Sequence, residues 1–288
     1  MSRSINKEVA GNIRSAANLE LKARNLARGM NMGKQHSLRI GGGMEFDQYK
    51  NYVQGDDIRL LDWKMYAKTQ QYYIRQSKIE SNSCLHVILD DSKSMSYEEE
   101  GKSKIGIAKI ITATLSYVIV QQGDQFGWQA GKSIFAKGSG LKNWRRSLLQ
   151  LENLNMDSKT LSDHVVRIDG IQLWITDLYM ELSKIEQFVT SCASRNSELV
   201  IFHLIGRNEE SLNFKNNSKF LDLESGEKLH VNAKKYSKRY QNALNLHLFQ
   251  VKRICQRKGI VYKKIYLQSE LKLELQLFLK EYNAMRSK

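Results

Sequence analysis

From residue 83 onward the chain alternates short, continuously apolar runs with longer segments of helical periodicity, and this rhythm narrows the fold more than any other feature. Cys84–Leu89 (CLHVIL), 171–175 (IQLWI), 198–205 (ELVIFHLI) and 260–267 are too short for helices and read as strands buried on both faces. Segments 105–120, 141–154, 181–193, 236–258 and 271–282 repeat apolar residues at helical spacing. Buried strands separated by helices predict an α/β fold, a doubly wound, mostly parallel sheet covered on both faces. Two places break the rhythm. Runs 125–130 and 133–136, joined at Gly131-Lys132, read as a strand pair, and 219–231 carries Ser225-Gly226 between strand-like runs, which predicts an inserted hairpin. The chain contains no proline, so its turns are marked by glycine, asparagine and aspartate alone.

Residues 1–80 follow another pattern. A helical period over about 5–27 leads into Gly41-Gly42-Gly43 and then an aromatic, charged stretch with a turn at Gly55-Asp56 and a strand signal at Tyr72-Tyr73-Ile74. The expected organisation is an N-terminal aromatic and basic subdomain over 1–80 and a main domain over 81–288 with the hairpin near 219–231. The longest apolar stretch, 105–120, contains Lys109 and falls short of the roughly 18 residues of a membrane span. The first twelve residues lack the apolar block of a secretory signal, so the expectation is a cytoplasmic protein. Cys84, Cys192 and Cys255 lie far apart without CxxC spacing and read as buried thiols. The net charge of +15 is concentrated at the C-terminal end, where residues 234–288 hold 14 basic and 3 acidic side chains. Such a segment is either a solvated lysine-rich helix or a surface for nucleic acid or an acidic protein.

The chemistry-bearing residues gather where the apolar runs end. After the first strand comes Asp90-Asp91-Ser92-Lys93-Ser94-Met95, a carboxylate and two hydroxyls at DxSxS spacing on one strand-end loop. The second strand ends in Trp174-Ile175-Thr176-Asp177, which brings another carboxylate to the same sheet edge. In an open parallel sheet that edge is where ligands bind. Oxygen donors of this kind suit Mg²⁺, which takes six oxygens in near-octahedral geometry and keeps several waters. Thr160 offers a further hydroxyl, although a hydroxyl at a helix start also serves as an N-cap. Asp91 reads as a solvated loop carboxylate.

This constellation resembles the metal-ion-dependent adhesion site of von Willebrand factor A domains. More specifically, residues from about 18 to 282 resemble a MoxR-associated bacterial family of unknown function that carries such a domain. The resemblance rests on Gly43, Glu45-Phe46, Tyr49, Tyr52, Gly55-Asp56-Asp57, Arg59 and Asp62-Trp63-Lys64, then on Asp90 with Ser92-Lys93-Ser94-Met95. Leu221-Asp222-Leu223-Glu224-Ser225-Gly226, Tyr240 and Gly259-Ile260-Val261-Tyr262 continue it. Gln54 departs from the family, whose members commonly place proline before Gly-Asp-Asp. The resemblance implies a von Willebrand A-like fold, Mg²⁺ (or Mn²⁺) bound by Asp90, Ser92, Ser94, Thr160 and Asp177, and a MoxR-type AAA+ ATPase as partner together with client proteins.

The Glu45, Asp56, Asp57, Arg59, Asp62, Trp63 cluster has two readings. Its carboxylates, with Glu80, suit a two-metal phosphodiesterase; alternatively Asp57 and Asp62 pair with Arg59 and Lys64, and Trp63 is a buried anchor. The second is the expectation. Gly101-Lys102-Ser103 and Gly131-Lys132-Ser133 lack the glycine a P-loop needs five positions earlier, the six histidines have no paired spacing, and no GxSxG elbow occurs. The resulting expectation is a non-enzymatic, Mg²⁺-dependent adaptor. Its rivals are a nucleic-acid module using Lys234, Lys235, Lys238, Arg239, Lys252, Arg253, Arg257 and Lys258, and a metal-dependent hydrolase.

Overall fold

The computed structural model describes residues 2–30, 45–54, 61–78, 84–131, 133–154, 170–192, 197–212, 217–221 and 228–286. The chain forms two compact units, residues 39–82 and the remainder. Helix α1 (Ser2–Gly29) belongs to the larger unit. In the smaller unit, β1 (Glu45–Asn51) pairs antiparallel with β2 (Tyr73–Lys78), and α2 (Trp63–Thr69) lies between them in sequence.

The larger unit continues with β3 (Cys84–Leu89), the short antiparallel pair β4 (Glu98–Glu99) and β5 (Lys102–Ser103), and α3 (Lys104–Gln121). Next come β6 (Gln125–Ala130), β7 (Ser133–Gly138), α4 (Gly140–Glu152), β8 (Gly170–Thr176) and α5 (Leu182–Cys192). Strand β9 (Ser197–Ile205), α6 (Arg207–Ser211) and a hairpin of β10 (Asn217–Leu221) with β11 (Lys228–Asn232) follow. Helix α7 (Ala233–Arg257), β12 (Val261–Tyr266) and α8 (Leu271–Arg286) complete it. The central sheet has six strands in the order β12-β9-β8-β3-β6-β7, all parallel except the edge pair β6 and β7. The apolar runs of the sequence are these strands: every residue of β3 is buried, as is every residue of β8 after Gly170.

One face of the sheet is covered by α5 and α7, whose Ile185, Phe188, Val189, Val251 and Cys255 pack on Ile88, Trp174 and Ile201. On the other lies α3, with Ala108, Ile111, Leu115 and Ile119 inside, and α8, where Phe278 stands edge-on to Phe202. Helix α3 has the length and composition of a membrane span, yet two thirds of it is buried within this unit, so its apolar surface is that of a core helix. Helix α1 was grouped by sequence with residues 1–80. It instead packs on α3 and α4 through Ala16, Leu19, Ala23, Ala27 and Met30, a stripe at three- and four-residue spacing. Its Arg24 lies over the rings of Tyr117 and Trp144. All three cysteines are buried.

One glycine sets how closely the two central strands approach. Gly170 opens β8 at φ +129, and a Cβ there would overlap the carbonyl oxygen of Cys84 and lie 2.8 Å from its nitrogen. No other residue type combines that backbone region with that proximity.

Candidate functional site

The order of the sheet reverses at β3, whose neighbours β6 and β8 lead to opposite halves. Beyond the carboxyl ends of strands at such a point the connecting loops part and leave a crevice. Register places Leu89 beside Ile175, and the Asp90 N–H still donates to the Ile175 carbonyl at 2.9 Å. Asp90 is therefore level with Thr176, and Asp177 follows one residue later at the same sheet edge. After Asp90 the chain turns into a single 3₁₀ turn (Lys93–Ser96). The Ser92 N–H donates to Asp90 Oδ1 at 3.0 Å, and Ser92 Oγ and Ser94 Oγ lie 3.0 Å apart. Thr176 Oγ1 donates to Asp90 Oδ2 at 2.6 Å and accepts the Leu178 N–H at 2.9 Å. Leu178, fully buried, takes the left-handed conformation at φ +59. A bulky residue there is a strained choice that its surroundings must hold, and here the strain sits beside the site.

Beside Asp177 stands Lys104, the first residue of α3 and wholly buried. Its Nζ donates to Asp177 Oδ2 at 2.8 Å and to Glu209 Oε1 at 2.5 Å. The rings of Tyr97 and Tyr179 cover it, with centroids 5.2 and 4.9 Å away. Asp177 Oδ1 accepts the Tyr179 N–H at 3.2 Å, and Glu209 Oε2 accepts the Gly206 N–H at 2.9 Å. The two strand-end carboxylates thus differ: Asp177 has a cation on it, whereas Ser92 and Thr176 reach Asp90 as neutral donors. Burial first, then the charge of Asp177, pushes the Asp90 carboxyl up to about 6 against the opposing hydrogen bonds from Thr176 and Ser92. Burial also raises Glu209, despite the pull of Lys104. A neighbouring carboxylate, Glu99, accepts the Asn208 N–H at 3.1 Å, the Tyr97 hydroxyl at 3.0 Å and the amide of Gln268, tying α6 to the β4–β5 pair.

Of the residues predicted to hold metal, the structure brings together Asp90, Ser92, Ser94 and Asp177; Thr160 lies outside the described residues. Thr176 is the hydroxyl found on Asp90, and sequence reading had treated it only as part of the strand end. Lys104 and Glu209 were missed. Their one local signal is a lysine at a helix start, where the dipole disfavours it. Asp91, expected to be solvated, is buried at 6% exposure.

In the smaller unit Asp56, Asp57 and Arg59 lie outside the described residues, and Glu45 is described only as the first residue of β1. Asp62 is an N-cap: its Oδ1 accepts the N–H groups of Lys64 and Met65 at 2.9 and 3.1 Å, and its Oδ2 accepts the Tyr49 hydroxyl at 3.1 Å. Trp63 corrects the expectation of a buried anchor. It is 62% exposed, because Asp62 caps a seven-residue helix with no buried position, and its ring lies edge-to-face with Tyr66.

Among the described residues the side-chain ligand atoms beside Asp90 are oxygens, which suit a hard cation better than the nitrogen and sulfur set typical of zinc does. Among the described residues no three His, Cys, Asp or Glu side chains gather as a metal cluster, so an ion here relies on serine hydroxyls and water beside one carboxylate. That donor set fits Mg²⁺, which retains water.

No curated protein matches the chain. Among solved structures it is similar to the conserved hypothetical protein BatB from Bacteroides thetaiotaomicron, at 11% identity and a TM-score of 0.45 over 72% of this chain and 100% of that one. It is also similar to an aerotolerance-related membrane protein from Bacteroides fragilis NCTC 9343 with multiple mutations to serines, at 13% identity and a TM-score of 0.42 over 69% of this chain and 97% of that one. Residues 48–247 match a protein family of unknown function, DUF58, and the chain belongs to that family.

Proposed function

We propose that this protein is a non-enzymatic, cytoplasmic adaptor of von Willebrand A-like architecture that captures a partner through Mg²⁺ or Mn²⁺ and works with a MoxR-type AAA+ ATPase on client proteins. The observation that carries the reading is the meeting of Asp90, Ser92 and Ser94 with Asp177 at the reversal point of the sheet. Asp90, Ser92 and Ser94 would hold the ion directly, with Asp177 acting through water. When bound, the ion supplies a positive centre with an open position for an acidic side chain of another protein. The protein's own part is to orient the donors: the Ser92 N–H and the Thr176 hydroxyl fix the Asp90 carboxylate, and the 3₁₀ turn sets the serine spacing. The ATPase partner is supported by the family resemblance alone.

Calorimetric titration with Mg²⁺ and Mn²⁺ tests the metal site, with Asp90→Ala expected to fold and to lose binding. Capture of the ATPase from a native lysate with and without EDTA tests the partner. Unchanged metal binding by a folded Asp90→Ala protein would overturn the reading.

A second reading, nucleic-acid binding by α7, has one observation in its favour: that helix contains no acidic residue, and Lys238, Arg239, Lys252, Arg253 and Arg257 on it, with Lys258 just after it, are exposed. Four of them are engaged locally. Arg257 pairs with Glu186 at 3.4 Å, Lys258 meets Thr190 at 3.1 Å, Lys252 lies over Tyr262 and Arg253 over Phe249. Binding to duplex DNA with a log K against log salt slope near −0.9 per neutralised phosphate, abolished by Lys252→Ala with Arg253→Ala, would favour it.

A further inference from the structure

A lysine is a poor choice at the first position of α3. The N-terminal end of a helix carries partial positive charge, and the first turn of α3 holds no acidic residue to offset it. Burying the ammonium completely adds a desolvation cost that ion pairing often fails to recover, so apolar residues of similar volume frequently serve stability as well. A residue that breaks two local rules at a site is expected to serve that site. The geometry says how. Nζ occupies Asp177 Oδ2 at 2.8 Å, while Asp177 Oδ1 is held by the Tyr179 N–H. Glu209, the other partner, is oriented by the Gly206 N–H, and the faces of Tyr97 and Tyr179 close over the ammonium.

We propose that Lys104 is a positioning residue that holds Asp177 as an already neutralised group, so that of the two strand-end carboxylates only Asp90 faces a divalent cation with its charge uncompensated. Resting on the metal reading above, this explains why the site would seek an anionic ligand from outside. With a single carboxylate touching it, a dication keeps net positive charge in its first shell, and an acidic side chain of a partner removes it. If Asp177 were released, it would supply that charge from within, and the open position would lose its preference for an anion. Lys104 therefore trades tight metal binding for metal-dependent capture of a carboxylate.

The test compares the full chain with Lys104→Met and with Lys104→Met/Glu209→Gln, the second of which leaves Asp177 as the one newly unpaired carboxylate and so protects against misfolding of the first. Mg²⁺ affinity is measured by calorimetry and Mn²⁺ affinity by electron paramagnetic resonance, at fixed ionic strength, with and without acetate as the carboxylate probe. Removing a positive charge a few ångströms from the ion should tighten Mg²⁺ binding about tenfold or more. Acetate should strengthen binding to the natural protein and leave both variants unaffected. Folded variants with unchanged or weaker Mg²⁺ affinity, or with an undiminished acetate effect, overturn the role of Lys104 while leaving the metal site standing. Failure of the natural protein and both variants to bind either ion removes the metal reading and this inference together. Binding gained only on substitution supports the inference.

Discussion

Replacing Asp90 by Asn removes the charge on which the proposed metal site depends, and in the absence of divalent ions it should make the protein more stable. The Asp90 carboxyl is pushed from 3.8 up to about 6 in the folded protein, because it is buried and faces Asp177. A carboxyl with a raised folded value binds protons more tightly folded than unfolded. Its stabilising contribution is complete below about 4 and is lost as pH rises through about 6. At neutral pH the loss is about two pH units of proton affinity, or roughly 3 kcal/mol. Asparagine avoids that cost and keeps an oxygen for the Ser92 N–H, but its amide cannot accept from Thr176, which returns about 1 kcal/mol. The net gain is about 2 kcal/mol, or about 3 °C in Tm for a chain of this length. The measurement is thermal and urea unfolding in EDTA at pH 7.5 and at pH 5, where the advantage should fall below about 1 kcal/mol. At a hundredfold excess over its Kd, Mg²⁺ adds about 2.7 kcal/mol to the natural protein alone and should reverse the order. A variant that melts at or below the natural protein at pH 7.5, or an advantage that does not shrink on acidification, would refute the reasoning.

Acid stability offers an independent check at His203, buried on β9, which burial and then the positive charges of Lys104 and Lys264 hold down at about 3. Because the unfolded state takes the proton first, stability should fall from about pH 6.5 downward by about 1.4 kcal/mol per pH unit. His203→Phe should then lose about 2 kcal/mol less than the natural protein between pH 7.5 and pH 5 by urea unfolding, and equal losses would remove His203 as the cause. Gly170→Ala drives a Cβ into the backbone of Cys84, and circular dichroism melts should show a loss of about 3 kcal/mol or more. Trp63→Ala should change stability by less than about 1.5 kcal/mol, because the ring is mostly exposed. A loss of about 3–5 kcal/mol would mean that the ring is buried after all.

What the sequence determined by itself is what depends on neighbours along the chain. An apolar run of six residues, rich in β-branched side chains and too short for a helix, reads as a strand buried on both faces, and a 3.6-residue period reads as a helix with one covered side. So the sheet strands and their flanking helices were legible, and with them the fact that Asp90 and Asp177 each follow a strand. Alternation also implied that such strand ends share an edge, which is why Asp90, Ser92, Ser94 and Asp177 could be named together. Tertiary structure alone decided the rest. Lys104 meets Asp177 across 73 residues of chain and Glu209 across 105, and Thr176 reaches Asp90 across 86. No periodicity links positions so far apart, and the five-residue α6 that carries Glu209 is too short to leave a pattern. Helix α1 was assigned to the wrong unit because its apolar stripe says that one side is covered, not by what. Trp63 shows the converse limit: an aromatic residue is a core residue only if the fold places something against it, and the Asp62 cap starts a helix too short to bury a face. Burial, pairing and proton affinity belong to the distances between distant segments, and those distances exist only once the chain has closed on itself.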